Sequence, residues 1–397
     1  MINSSLTLTI YINGIMLNDT NSALYKFSLE ETISGEFPRL ELHIGLRDEF
    51  LTTHPLTDGS PIYVEIGNEN QSNAIEVCRF RLYTFDAMSS PLGGTLEYQI
   101  VAYHEALWYL SKIEDESYTM TSEGVFNRIA ERTNLLADTD KTNDPMTWFT
   151  LEGNRLDFLR SVCAHAWANK YSVYAWWVNR TGVLNFKNLV ERIQQKASRR
   201  IIETTDITGD LNIGVTPVSN VTYAMESAIN NFRYGYGNNT LFYDVENVRN
   251  RLIYPREFKS NAESLNISKV GQNQGWISYG ISEGNTHSNY QRAEIQNKRG
   301  LALWSTVVTC VDQYCFDVSL GDCVEFLFKV DGKDDALLYS GNYLVSGINL
   351  VLDTTNKPVK KLFLVRQGIS VPVFDETSDE QPTKNTQYDQ NVAPKVG

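Results

Sequence analysis

The chain has 397 residues, 42% apolar and 21% charged, and a formal net charge of −13. This is the composition of a folded globular protein with room for two or three domains. The acidic balance, with no Lys/Arg-rich run, argues against specific nucleic-acid binding, and no apolar run approaches the about 18–20 residues of a membrane helix, so no stable membrane insertion is expected.

Residues 1–105 predict a first small β-barrel. The opening stretch, Met1 to Leu17, lacks a basic, apolar leader and reads as a strand pair, so synthesis in a reducing cytoplasm is expected. Leu6–Ile12 alternates and stops at Asn13-Gly14, a hairpin turn signal. Leu40–Leu46, Pro61–Gly67 after the Asp58-Gly59 turn, Arg79–Met88 and Thr95–Tyr103 alternate in the same way.

The period changes over 106–195, where an α/β insert with two helices and a hairpin is expected. Val125, Phe126, Ile129 and Ala130 have helical spacing within Thr121–Leu136, with Thr121 or Ser122 as N-cap. A second helix is predicted over Asn154–Lys170. Asn154 caps it, Asp157 puts negative charge in its first turn, and Leu156, Leu159, Cys163 and Ala166 form its stripe. A hairpin follows from Asn169 to Phe186, turning at Arg180-Thr181-Gly182. Its adjacent Trp176 and Trp177 point to opposite faces of one strand. Both faces must therefore be covered, either within the chain or, as we hypothesise from the sequence, on one side by a neighbouring subunit.

Residues 196–372 predict a second β-barrel, interrupted at about 228–300 by a polar, Asn- and Tyr-rich excursion with a short helix near Tyr290–Leu301. Residues 373–397 carry almost no apolar pattern and are expected to be a flexible C-terminal tail, ordered only on a partner. A weak internal repeat links the two barrel regions. The turn and strand at Asp58 resemble those at Ser319, the strand at Phe80 resembles that at Gly341, and the strand at Thr95 resembles that at Val359, with similar spacings.

The order of these parts resembles the central baseplate hub family of phage tails, which shares its fold with phage late-control proteins and the front half of type VI secretion spike proteins. The resemblance is carried by Leu96–Leu110, closing the first barrel, and by the Thr-led helix within Tyr118–Leu136. It continues through the Asp157-Phe158-Leu159 helix into the hairpin ending Gly182-Val183-Leu184-Asn185-Phe186, and through Leu320–Phe326, Ser340–Asp353 and Lys360–Gly368. It implies a mainly β chain, with two related small β-barrel domains plus an α/β domain, assembled as a homotrimeric ring. It also implies a structural hub in the virion, at the tail tip or baseplate, assembled in the host cytoplasm. The trimer would join a sixfold tail tube or distal tail protein to a threefold spike or tail-tip protein, contact other baseplate proteins, and leave a channel for DNA. The chain departs from the spike pattern in having no oligonucleotide-fold domain, β-helical needle or lysozyme-like segment, so another protein would supply the tip.

No catalytic, cofactor-binding or metal-binding residue is predicted. His43, His54, His104, His165 and His287 are scattered and lack zinc-site spacing. Glu114-Asp115-Glu116 and Asp334-Asp335 could serve as glycosidase acids but read as solvated charge clusters. Asp331–Asp335 lacks the later ligands of a calcium loop and suits a hairpin turn. Cys78, Cys163, Cys310, Cys315 and Cys323 read as strand-core thiols. The alternatives from other classes are a tail-associated peptidoglycan-degrading enzyme and a carbohydrate-binding tail-tip adhesin.

Overall fold

The computed structural model describes residues 6–17, 23–33, 36–47, 53–68, 75–89, 95–150, 153–203, 215–225, 239–244, 249–253, 276–282, 286–302, 306–313, 315–327, 340–352 and 357–366. The tail at 373–397 and the acidic run Asp331–Asp335 lie outside them.

The chain opens with β1 (Leu6–Ile12), β2 (Ile15–Met16), β3 (Ala23–Thr32), β4 (Arg39–Arg47), β5 (Pro61–Asn68), β6 (Glu76–Ser89) and β7 (Thr95–His104). Asn13 and Gly14 both take positive φ (52° and 83°), the geometry of a tight hairpin turn, and set Ile12 opposite Ile15. The strands pair in the order β3-β4-β7-β6-β5-β1-β2. Alternation sends Ile10, Ile12, Leu40, Leu42, Ile62, Val64, Phe80 and Leu82 into one core. Phe27 and Leu29 of β3 share that core with β1, at the other end of the order, so the sheet curls back on itself.

The next segment holds α1 (Ala106–Leu110), β8 (Glu116–Met120), α2 (Ser122–Thr133), β9 (Leu136–Thr139), β10 (Met146–Thr150), α3 (Arg155–Ala164), β11 (Tyr174–Val178), β12 (Val183–Asn188) and α4 (Leu189–Gln194). Among the described residues this segment thus holds four helices where two were expected. Thr121 caps α2 by accepting the Gly124 N–H at 3.3 Å, and Asn154 caps α3 by accepting the Asp157 N–H at 2.8 Å. α2 stops at Thr133, short of the expected Leu136, because Asn134 turns left-handed (φ 55°) and sends the chain into β9. β9 pairs in parallel with β12, which pairs with β11.

The remainder holds β13 (Arg199–Glu203), β14 (Val215–Met225), β15 (Asn239–Asp244), β16 (Arg249–Ile253), β17 (Trp276–Ser282), α5 (Tyr290–Ala302), β18 (Thr306–Asp312), β19 (Cys323–Leu327), β20 (Gly341–Leu352) and β21 (Pro358–Arg366). The polar excursion contains a three-stranded sheet, β16-β15-β17, and the helix α5. Six strands close a ring, β13-β14-β18-β21-β20-β19, because β19 also pairs with β20. Its interior holds Ile201, Val308, Val324, Phe326, Tyr343, Val345, Leu362 and Leu364.

The two halves share one pairing order. Reading β1-β5-β6-β7-β4-β3 beside β13-β19-β20-β21-β18-β14 puts equivalent strands in register. They differ in two respects: β1 runs antiparallel to β5 whereas β13 runs parallel to β19, and β13 also pairs with β14, whereas β3, the counterpart of β14, pairs with β4 and β20 and not, among the described residues, with β1. The details repeat too. Gly59 donates to Leu82 O at 3.0 Å and Leu82 to Ser60 O at 2.9 Å. Gly321 donates to Val345 O, and Val345 to Asp322 O, both at 2.9 Å. In each turn the last side chain accepts a backbone N–H three residues earlier, Thr57 onto Ser60 Oγ (3.0 Å) and Ser319 onto Asp322 Oδ2 (2.8 Å). One bulge follows each, between Leu82 and Thr84 and between Val345 and Gly347. Past its bulge, β20 crosses to the first half and pairs antiparallel with β3, from Gly347 opposite Thr32 to Val351 opposite Ser28.

Candidate functional site

The hairpin β11–β12 is the piece on which the other parts converge. Every residue of β11 is buried. Trp176 (4% exposed) faces the insert's own core with Phe37, Phe126 and Phe186. Trp177 (1% exposed) faces the other way, among Ile33, Ala175, Leu189 and Leu344. A Cβ added at Gly321 would lie 2.9 Å from Trp177 Cζ2, so the second half's turn sits directly on the indole. This corrects the expectation of a neighbouring subunit on one tryptophan face. Both faces are covered by this chain, because the barrel turn and the insert clasp the strand from opposite sides.

At the hairpin tip Arg180 locks onto the first half. Its N–H donates to Glu31 Oε1 at 2.8 Å, its Nη1 to Glu31 Oε2 at 2.9 Å and its Nε to Glu76 Oε2 at 2.8 Å. Burial pushes the guanidinium pKa down, but the charges of Glu31 and Glu76 outweigh it and hold it above its ordinary value. Beside it runs a cleft of about 300 Å³ lined by Glu31, Glu76, Trp177, Arg180, Lys187 and Asp322. The cations in it are already partnered: Lys187 with Asp138 and Asp140, and Arg192 with Asp140. Its cations are held by carboxylates of the same chain, so the cleft is a joint between parts of the chain.

α5 docks on the insert through Asn297, 3% exposed. Its Nδ2 donates to the carbonyls of Cys163 (3.1 Å), Ala164 (3.2 Å) and Ala166 (2.9 Å), and its Oδ1 accepts the Tyr174 N–H at 3.0 Å. One side chain therefore takes up carbonyls left over where α3 ends. α3 accordingly stops at Ala164 and not at the expected Lys170.

The structure disperses the remaining sequence candidates. Glu116 is buried and accepts from Arg155 Nε (2.8 Å) and Arg132 Nη1 (3.1 Å), and Glu114 pairs with Arg155, so this acidic run is an ion cluster. His43 meets Glu97 at 3.1 Å. His104 is buried under the hairpin turn, its ring near Gly182. His165 stacks on Tyr290, and His287 contacts the His165 carbonyl at 3.0 Å. All five cysteines are buried and free, and burial pushes their thiols up, Cys78, Cys310 and Cys315 to about 12 and Cys323 to about 11. Among the described residues no cluster of three potential metal ligands occurs, and no helix is long and apolar enough to cross a membrane.

What the sequence reading missed is an exposed strand. β5 accompanies β6 only as far as Arg81. Beyond the bulge Thr84–Ala87 are exposed, including Phe85 (39%), and Tyr83 at the bulge is 57% exposed. The signal was present: Tyr83 continues the outward row of Val77, Arg79 and Arg81 with an aromatic ring.

No protein-family model and no curated protein matches the sequence. Solved structures do share its fold. A tail protein from Neisseria meningitidis is 11% identical, with a TM-score of 0.57 over 92% of this chain and 98% of its own. The 43 kDa tail protein of prophage MuSo2 from Shewanella oneidensis is 9% identical, with a TM-score of 0.59 over 91% and 98%. An E. coli component of the type VI secretion system, described as structurally similar to the T4 tail proteins gp27 and gp5, is 9% identical, with a TM-score of 0.51 over 90% and 77%. The chain therefore has the fold of phage tail proteins and of a type VI secretion component.

Proposed function

We propose that the chain is the structural hub at the distal end of a phage tail tube, working as a homotrimer that adapts a sixfold tube to a threefold spike or tail-tip protein. The observation that carries this reading is the repeated pairing order with its matching turns and bulges. One chain holds two equivalent rims, so three chains hold six, and closed symmetry demands matching surfaces at each contact. The fold shared with two phage tail proteins supports the same reading.

In this reading residues 1–105 form the tube-facing first barrel, 106–195 the insert, 196–372 the second barrel, and 373–397 a tail that runs along a partner. The hub resides in the virion, is assembled in the host cytoplasm, and contacts the tail tube, the spike and other baseplate proteins. It performs no catalysis: its function is mechanical connection through packed surfaces. Three chains at −13 each carry about −39, and that like charge keeps DNA from adsorbing as it passes the central channel.

The test is the mass in solution of the purified full chain. The expected result is three times 45.1 kDa at micromolar concentration. A monomer that clears peptidoglycan in a zymogram, or binds glycans, would overturn the proposal.

A further inference from the structure

The chain contains one worked example of how its two kinds of half join, and among the described residues one equivalent strand edge has no partner strand. In the used joint, β20 past its bulge lies against β3: Leu350 opposite Leu29, Asn349 opposite Glu30, with Ser28 Oγ donating to Asn349 Oδ1 at 2.9 Å. Ile348 and Leu350 are 1% and 3% exposed there.

β6 is the counterpart of β20, with Leu82 equivalent to Val345 by the turn bonds and the bulge. Its stretch past the bulge pairs with β7 on one side, and no described strand lies on the other. Phe85 and Ala87, the counterparts of Ile348 and Leu350, are exposed. The ladders also identify the counterpart of β3. From Leu82 the cross-strand partners run Ala102, Leu40, Leu29. From Val345 they run Leu364, Val308, Tyr223. β14 therefore stands where β3 stands, and its ladder to β13 ends at Val218.

We infer that the outer half of β6 pairs antiparallel with β14 of a second copy of this chain, in the register the chain already uses internally. Ala87 then lies opposite the second copy's Tyr223 and Asp86 opposite its Ala224, and Phe85 is covered as Ile348 is. Strand addition supplies backbone hydrogen bonds for affinity and the alternating side chains for register. The pairing is head to tail, so it builds a ring when the rotation from copy to copy closes, which the trimeric reading sets at three copies. This inference rests on the trimeric reading above and adds the contact that builds it.

The test places cysteines at two exposed positions, Asp86→Cys and Ala224→Cys, in the full chain. Directly opposite residues of an antiparallel pair lie about 4.5–5.5 Å apart at Cα, within disulfide reach. The native cysteines are all buried, which keeps the background low. Oxidised glutathione is expected to convert the double variant to a covalent trimer on a non-reducing gel and to leave either single variant monomeric there. Phe85→Asp, at an exposed site, is expected to keep the melting curve and weaken self-association about tenfold or more. A species of trimer mass in which the double variant never cross-links, or which Phe85→Asp leaves unchanged, overturns the strand pairing while sparing the hub. A monomer at every concentration overturns the hub itself.

Discussion

His104 is 3% exposed, and its Nδ1 accepts the Ala106 N–H at 3.2 Å. Burial, with a smaller contribution from the Arg79 charge, lowers its pKa from 6.5 to about 4. Below pH 6.5 the unfolded chain takes up a proton that the folded ring refuses until about pH 4. Stability is therefore full above that window and declines as pH falls through it, by up to about 1.4 kcal/mol per unit. Burial lowers the His287 pKa as well, so it adds to the decline with the same sign. Urea midpoints of the native chain are expected to fall between pH 7 and pH 4.5, and His104→Asn to flatten part of that slope; an unchanged slope would contradict the assignment. Two glycines give a second comparison at this scale. Gly59 and Gly321 hold equivalent turns at φ 76° and 86°, yet only Gly321 has Trp177 against it. Gly59→Ala carries the left-handed strain alone, roughly 1–2 kcal/mol. Gly321→Ala is expected to lose clearly more in the same melts and to shift the tryptophan emission, since the indole must move.

Elements whose ends are decided by adjacent residues were legible in the sequence. Thr121 and Asn154 stand where a helix start needs an acceptor, and Asn13-Gly14 where a hairpin needs positive φ. Elements whose ends are decided from a distance were not. Nothing near Ala164 announces that α3 stops there, because Asn297, 133 residues away, takes its carbonyl. Replacing that side chain tests the point. Asn297→Ala strands the Tyr174 N–H and carbonyls at the end of α3, at about 1–3 kcal/mol for a buried orphaned group. Faster amide exchange at Tyr174 and across α5 is expected, with the six-stranded ring unaffected. The aromatic pair on β11 shows the same limit. Alternation showed that both its faces needed cover; only the turn at Gly321 shows that the cover comes from the same chain.

For the whole molecule, composition and alternation sufficed to read a mainly β chain, and the spacing of three strands exposed the repeat. The sharing of β20 between the halves was hidden, since no residue pattern shows that one edge of a strand passes from one partner, β19, to another, β3, while the other edge keeps β21. Under the hub proposal, deleting 373–397 is expected to leave self-association intact and weaken capture of the spike protein in co-purification, and equal capture would contradict the tail's assigned role. The β20–β3 pairing carries a mechanical consequence. A load pulling the halves apart along this strand shears several backbone bonds at once, within a single polypeptide that cannot dissociate. In an assembled annulus such permanent welds would alternate with seams between copies, which separate reversibly. Stressed to failure, it should come apart into intact two-lobed pieces, never into single lobes.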